Sequence, residues 1–328
     1  EVTISINNVD ATASDANLTT VTTTNDSMNS GANLVLSSGG AIDTVATTGD
    51  IQALNNILLD SADSITLNGN TVSSTGNITI NAGTSLSQGV DSIIDAQTAS
   101  KTIELIAQAG NITMAQGSLV TTSNAAAGDI SLIASDSIVS ETITTTGNVS
   151  LVATAGSITD LDADSLVRAS GLNVQAATNI ATADNDFNTN VTELNVNTLD
   201  DTIYVNEKDA IIINSDNLYG DVKATTLTLN VDGNVGSSTN YLNTDVDILN
   251  GTIEDDIYII EKDDLKIGSL SSTKMYLISE GDVENLYETS SLKADKLTID
   301  AKNVVLNTNI KTIDANVLNN IDITEKDN

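Results

Sequence analysis

The amino-acid sequence predicts an all-β chain that folds as a right-handed parallel β-helix, a solenoid with three short strands in each coil. Three observations support this fold class. Three short apolar segments recur along most of the chain with a repeat of 19–27 residues, and polar, glycine-containing stretches separate them. Proline is absent, although its usual frequency of about 5% predicts roughly 16 copies, and proline cannot donate to a strand ladder. One phenylalanine, six tyrosines and no tryptophan indicate a thin, aliphatic core.

Strand A, the first segment of each coil, has the form apolar-x-apolar-x-small. In residues 147–170 it consists of Val149, Leu151 and Ala153, which alternate with the period of a β-strand. Stacking pairs each strand A in parallel with its counterpart one coil away, at a spacing of about 4.8 Å. Copies of strand A begin at Leu34, Ile57, Ile78, Ile103, Ile130, Val149, Leu172 and Leu194.

Two further segments complete each coil. Strand B follows strand A after eight or nine residues, and strand C follows strand B after five to nine. Parallel crossovers are right-handed in about 98% of cases, which sets the expected hand. The apolar residues that anchor strand B are Ile42, Ile65, Leu86, Ile112, Ile138, Ile158, Ile180 and Ile203. The anchors expected to point inward from strand C are Ile51, Val72, Ile93, Leu119, Ile143, Leu166, Phe187 and Ile211.

The register of strand A predicts which of its side chains are buried. Alternate residues of a strand point to opposite faces of the sheet, so one set fills the core and the other faces water. The inward set includes Leu105, Leu132, Leu151 and Val174, whereas Asn148, Ser150 and Val152 are expected to face outward.

Composition divides the chain near residue 190. Residues 1–190 are expected to form β-helix with Gly/Ala/Thr-rich repeats, and 191–328 to continue it with repeats that contain tyrosine and lysine. A loop or insertion near 184–190 or 215–225 is expected at the join. The second part carries an EKD triad three times, at 207–209, 261–263 and 325–327. We expect the Glu and Lys of these triads to pair electrostatically, across or along the coil, which stabilises little at a surface.

Charge and composition exclude several classes of partner. A net charge of −33 opposes binding to nucleic acid and to anionic lipid, and no apolar run is long enough to cross a bilayer. The absence of cysteine excludes disulfides and thiolate metal sites. The sequence begins and ends inside strand-like patterns, so we expect end-to-end self-association or further repeats of the same polypeptide.

The residue types required for most catalysis are missing. Histidine and cysteine are absent, which excludes nucleophilic triads and the commonest general base. Arg168 is the only arginine. We therefore expect no enzymatic activity and assign no catalytic or cofactor-binding residue. The alternative is a polysaccharide-binding or polysaccharide-cleaving β-helix, which needs paired carboxylates in a groove with aromatic residues.

Closely spaced carboxylates are the candidate metal ligands, because calcium prefers oxygen donors. Their spacing matches neither an EF-hand loop nor a glycine-rich calcium repeat. Turn aspartates on a solvated edge are the favoured interpretation, and a calcium-stabilised surface layer or sheath is the alternative. The candidate calcium ligands are Asp200, Asp201, Asp255, Asp256, Asp263 and Asp264.

Several repeats resemble those of a known family. The stretches GNITINAGTSLSQG (76–89), AGNITMAQGSLV (109–120) and AAGDISLIASDSIVS (126–140) resemble filamentous-haemagglutinin-type repeats of large bacterial surface proteins. Residues 231–268 look like the repeats of very long bacterial surface proteins of similar type. The resemblance implies secretion to the bacterial cell surface and a role in an adhesin stalk or a self-assembling fibre, with a glycan or cell-surface partner. The secretion domain typical of that family is not evident here.

Overall fold

A computed structural model describes residues 11–13, 20–23, 28–30, 33–44, 49–123, 128–199, 201–212 and 221–326. The chain is all-β, and its parallel strands stack into a solenoid of about 12 turns, as the sequence predicts. It divides into two compact units. The first comprises Glu1–Ser170 with Gln175–Ala177, and the second Gly171–Val174 with Thr178–Asn328. The compositional boundary near residue 190 stays a prediction.

Thirty strands make up the described part of the chain. Those of the first unit are β1 (Ala11–Ala13), β2 (Thr20–Thr23), β3 (Met28–Ser30), β4 (Leu34–Ser38), β5 (Ala41–Thr44), β6 (Ile51–Ala53), β7 (Ile57–Ser61), β8 (Ile65–Leu67), β9 (Thr71–Ser73), β10 (Ile78–Ala82), β11 (Leu86–Gln88), β12 (Ile93–Ala96), β13 (Ile103–Ala107), β14 (Ile112–Met114), β15 (Leu119–Thr121), β16 (Ile130–Ala134), β17 (Ile138–Ser140), β18 (Thr142–Thr144), β19 (Asn148–Ala153) and β20 (Ile158–Asp160).

Strand β21 (Leu166–Ala176) contains residues of both units. The strands of the second unit are β22 (Phe187–Thr198), β23 (Thr202–Glu207), β24 (Asp221–Val231), β25 (Leu242–Ile253), β26 (Asp256–Glu261), β27 (Leu265–Ser271), β28 (Lys274–Ser279), β29 (Val283–Asn285) and β30 (Ser291–Glu325).

Three parallel walls enclose the core of the first unit. Wall A contains β4, β7, β10, β13, β16 and β19, and its residues pair without a register shift. Wall B contains β5, β8, β11, β14, β17 and β20. Wall C contains β6, β9, β12, β15, β18 and the start of β21. Three strands per coil are therefore confirmed.

The predicted register of wall A is confirmed. Leu105, Leu132 and Leu151 are direct partners in successive coils, and each is fully buried. Val174 is also fully buried. The residues expected outside the core lie there: Asn148 is exposed, and Ser150 and Val152 are half-buried. Alternation within a strand was sufficient here because only one apolar set has the right spacing.

In wall C the predicted anchors are wrong by one residue at four positions. The buried side chains are Thr71, Ile94, Val120 and Val167, whereas the expected anchors Val72, Ile93, Leu119 and Leu166 are half-buried. In three of these coils two apolar residues stand next to each other, so alternation alone cannot tell which one points inward. In the fourth, a buried threonine takes the inward position and the valine faces outward. The anchors Ile51, Ile143, Phe187 and Ile211 are buried as expected.

Longer strands that continue around corners characterise the second unit. Strand β24 pairs with β25 from Asp221 to Val231, and β30 extends over 35 residues. The pairing of β25 with β27 shifts register between Leu249 and Gly251, where Gly251 has a φ of +154°. A Cβ atom at Gly251 would overlap the carbonyl oxygen of Leu229 in the previous coil. Glycine at this position therefore permits close contact between coils.

Candidate functional site: the EKD corners and the outer face of the second unit

Polar side chains at the corners of the first unit link one coil to the next. The backbone N–H of Asn56 donates to Asn33 Oδ1 at 3.1 Å, and that of Asn77 donates to Asn56 Oδ1 at 2.9 Å. Thr102 continues the series by donating its N–H to Asn77 Oδ1 at 3.1 Å. Side-chain oxygens thus extend the coil-to-coil hydrogen bonding beyond the strands, which accounts for part of the asparagine content without a ligand.

Carboxylates perform the same task in the second unit. Asp264 Oδ1 accepts the N–H of Asp282 at 2.8 Å, and Asp282 Oδ1 accepts the side-chain amide of Asn303 at 2.7 Å. Asn303 Oδ1 then accepts the N–H of Asn320 at 3.2 Å. A column of Asp and Asn side chains therefore links four successive coils, and Asp264, a candidate calcium ligand, belongs to it.

The other candidate calcium ligands lie in different settings. Asp201 accepts its neighbour's N–H, from Thr202, at 2.9 Å, and Asp256 pairs with Lys274 at 3.0 Å. Asp255 and Asp263 are exposed, and Asp200 lies outside the described residues. Among the residues that the structure describes, no group of three or more His, Cys, Asp or Glu is placed to hold a metal ion. Calcium binding at these aspartates stays a prediction.

The EKD triads lie at a corner of the second unit. The predicted surface pairing of glutamate is wrong for two of them, because Glu207 and Glu261 are fully buried. Lys262 instead pairs with Asp245 in the previous coil. In all three triads the lysine N–H donates to a threonine carbonyl one coil earlier, at 2.9–3.1 Å; the threonines are Thr189, Thr244 and Thr308.

The side chain of each triad glutamate accepts a backbone hydrogen bond from the previous coil. The N–H of Val191 donates to both carboxylate oxygens of Glu207 at 3.2 Å, and the N–H of Val246 donates to both oxygens of Glu261 at 3.3 Å. The N–H of Ile310 donates to Glu325 at 3.1 Å. The acceptor for each N–H is thus a carboxylate in the place of a backbone carbonyl.

A threonine hydroxyl supports this carboxylate. Thr244 Oγ1 donates to Glu261 at 2.6 Å, and Thr308 Oγ1 donates to Glu325 at 3.0 Å. The sequence does contain the signal: Thr-x-Val or Thr-x-Ile stands 17 or 18 residues before each triad glutamate, at 189–191, 244–246 and 308–310. Without the coil pairing, nothing connects these two short motifs. We call each such pair of motifs a glutamate corner.

Burial makes the carboxylates of Glu207 and Glu261 more basic than an ordinary glutamate. Loss of water raises the pKa of Glu207 from 4.5 to about 7, against the opposing effect of hydrogen bonds such as those from the N–H groups of Val191 and Asp209, while the charge of Asp209 raises it further. Burial likewise raises the pKa of Glu261, opposed by hydrogen bonds from Thr244 and the backbone. Glu207 therefore titrates well above the usual range of glutamate, and the pKa of Glu261 is shifted in the same direction.

The outer face of the second unit carries tyrosines on successive coils. Tyr258 and Tyr276 are direct strand partners whose rings stack with centroids 4.4 Å apart and planes 3° apart. Tyr241 meets Tyr258 edge-on, at 5.6 Å and 85°. Sugar recognition by aromatic residues uses ring faces, and the facing sides of Tyr258 and Tyr276 are occupied by each other.

A polar depression lies near these coils. Its volume is about 330 Å³, and four carboxylates and two lysines line it: Asp247, Asp263, Asp264, Glu280, Lys262 and Lys302. Paired carboxylates are what glycoside hydrolysis requires, so this depression is the place to test the polysaccharide alternative.

Comparisons with known proteins identify no relative. The chain matches no protein-family model, no curated protein and no solved structure. In the described part of the chain, no helix has the length and apolar character needed to cross a membrane. The β-helical repeat architecture is thus established by the fold alone.

Proposed function

We propose that the chain is a non-catalytic structural segment of a secreted or surface-exposed bacterial protein, part of an adhesin stalk or a self-assembling fibre. The observation that carries the proposal is the use of the corner side chains. Several corner groups that could bind ligands in a β-helix instead link coil to coil, as in the column from Asp264 to Asn320 and in the glutamate corners.

Two further features support this role. The resemblance to filamentous-haemagglutinin-type repeats implies export and a repetitive surface structure. The net charge of −33 keeps long acidic molecules soluble and separate from one another. Self-association would then occur end to end or through further repeats of the same polypeptide, without nucleic acid and without membrane insertion.

Electron microscopy and a polysaccharide screen together test the proposal. Native protein examined by negative-stain microscopy is expected to form elongated particles or fibres, and incubation with acidic and neutral polysaccharides is expected to release no reducing or unsaturated sugar ends. Compact single particles from the native source would contradict the fibre role. Release of sugar ends would contradict the non-catalytic role.

The polysaccharide alternative has a defined site to test. If sugar ends are released, Glu280→Gln should abolish the release when the depression is the active site, because that variant removes one lining carboxylate. Glu254→Gln is the matched control, since Glu254 is exposed and does not line the depression. Equal release by both variants would place the activity elsewhere.

A further inference from the structure

Tyr258 and Tyr276 stand out among the tyrosines by their mutual geometry. They are 18 residues apart, are paired in β26 and β28, and are both half-buried on the outer face. The rings are nearly parallel, at 3°, with centroids 4.4 Å apart. The two rings therefore meet face to face.

An ion pair holds the same two strands two residues earlier. Asp256 and Lys274 are direct partners in the ladder, and their side chains meet at 3.0 Å. Because strand pairing and this ion pair both fix the register, the backbones of the two tyrosines cannot slide past one another without breaking hydrogen bonds. The two side chains therefore leave adjacent strands at the same level, which keeps their rings within reach of each other.

We propose that Tyr258 and Tyr276 form an oxidative cross-linking site, at which a peroxidase-type oxidant joins the two rings into dityrosine and covalently links neighbouring coils. Each phenol loses one electron and its hydroxyl proton, and hydrogen peroxide is reduced to two water molecules. A carbon–carbon bond forms between the two ring carbons ortho to the oxygens. The hydrogens on those carbons then return as protons to the oxygens, so the protein loses two hydrogen atoms in all.

The surroundings of the pair fit an oxidant that removes a proton together with the electron. Burial raises the pKa of Tyr258, and the neighbouring Tyr276 and Asp256 raise it further. The phenol therefore stays protonated at neutral pH.

The remaining described tyrosines supply internal controls. Tyr241 approaches Tyr258 edge-on, with the ring centroids 5.6 Å apart and the planes at 85°, so these two rings are not stacked. Tyr204 is paired with Thr228 and has no tyrosine as its strand partner. Tyr287 is 66% exposed, which makes it the expected position for coupling between two molecules. The geometry thus predicts one intramolecular product, at Tyr258 and Tyr276.

The experiment treats the dilute full chain with a haem peroxidase and hydrogen peroxide, with free tyrosine oxidised in parallel to verify the reagent. The monomer fraction is expected to lose two hydrogen atoms by intact mass, to gain dityrosine fluorescence, and to yield one cross-linked peptide pair containing Tyr258 and Tyr276. Phenylalanine keeps the ring but cannot form the radical, so Tyr276→Phe should abolish the monomer product while Tyr241→Phe leaves it unchanged. Tyr287→Phe should reduce covalent dimers only.

Three outcomes would overturn the proposal. The first is an unchanged yield of cross-linked monomer in Tyr276→Phe, and the second is a cross-link in the monomer that maps to other tyrosines. The third is a wild-type monomer without a cross-link under conditions in which free tyrosine is oxidised. Circular dichroism of Tyr276→Phe verifies that the variant keeps its strand content. The proposal does not depend on the proposed structural role, because the reaction requires only the paired coils.

Discussion

Replacing Glu207 with glutamine removes a buried charge and preserves the shape of the glutamate corner. In the wild type, the N–H groups of Val191 and Asp209 both donate to Glu207 Oε1, at 3.2 and 3.1 Å. The amide oxygen of glutamine can accept both. Its NH₂ group replaces Oε2, which accepts the Val191 N–H at 3.2 Å in the wild type, so this second, shared hydrogen bond is lost. The substitution therefore removes the charge and keeps the two hydrogen bonds to Oε1.

The magnitude follows from the pKa of Glu207. A folded value of about 7 against an ordinary 4.5 means that the folded chain binds the proton more tightly than the unfolded chain between those values. The free energy of unfolding therefore falls as pH rises through this window, by about 3 kcal/mol in total at about 1.36 kcal/mol per pKa unit. From about pH 5.5 to about pH 8 the expected fall is about 2 kcal/mol.

Few other groups are expected to change the stability in this pH window, because the chain contains no histidine or cysteine. Glu261, whose pKa burial also raises, contributes in the same direction. Glu207→Gln should therefore lose most of the pH dependence, and the double variant with Glu261→Gln should lose nearly all of it. At about pH 8 Glu207→Gln should be more stable than the wild type.

Urea unfolding followed by tyrosine fluorescence is the assay, since all six tyrosines lie beyond residue 200 and report on these coils. Measurements at constant ionic strength keep the screening of the surface charges constant. Glu254→Gln, which removes an exposed carboxylate, should retain the wild-type pH dependence. A double variant whose stability falls with pH as steeply as that of the wild type would refute the reasoning.

Four other predictions follow from the packing and charge. Leu151→Asp, which buries a charge, should destabilise its coils by more than about 3 kcal/mol and make them sensitive to limited proteolysis. Ser150→Asp should be tolerated, and identical digests of the two variants would contradict this prediction. Ile94→Asp should unfold its coil and lower the melting temperature, whereas Ile93→Asp should not; the reverse order would mean that Ile93 points inward and would contradict the observed register. Gly251→Ala should cost about 1–3 kcal/mol in urea unfolding, and an unchanged midpoint would show that the neighbouring coil can move aside. Calcium should raise the melting temperature more than sodium at equal ionic strength if the corner aspartates bind it, and equal curves would leave only general screening.

The sequence alone was sufficient for the fold and for wall A. The apolar-x-apolar-x-small pattern has one inward set, so the stack of Leu105, Leu132 and Leu151 could be predicted residue by residue. In wall C, adjacent apolar residues such as Ile93 and Ile94 satisfy alternation in either register. The choice depends on how each corner turns, and alternation carries no information about that.

The glutamate corners could not be predicted for a different reason. A glutamate followed by a lysine at the surface of a repeat protein usually indicates solvated charge. Glu261 is instead buried because Val246 and Thr244 supply donors to it from one coil earlier. This contact joins two short motifs that are 17 residues apart, so it becomes visible only when the coil pairing is known.

The most direct test of the solenoid is a distance ladder along one wall. Glu104, Ser131 and Ser150 are successive strand partners on the outer side of wall A, and the chain has no native cysteine to interfere with labelling. Nitroxide labels on cysteines placed pairwise at these positions would measure the stacking by electron paramagnetic resonance. In-register stacking predicts strong dipolar broadening for 104/131 and for 131/150. It predicts weaker broadening for 104/150, whose backbones are two coils, or about 9.6 Å, apart. Absence of broadening in either neighbouring pair would contradict the parallel, in-register stacking of the coils.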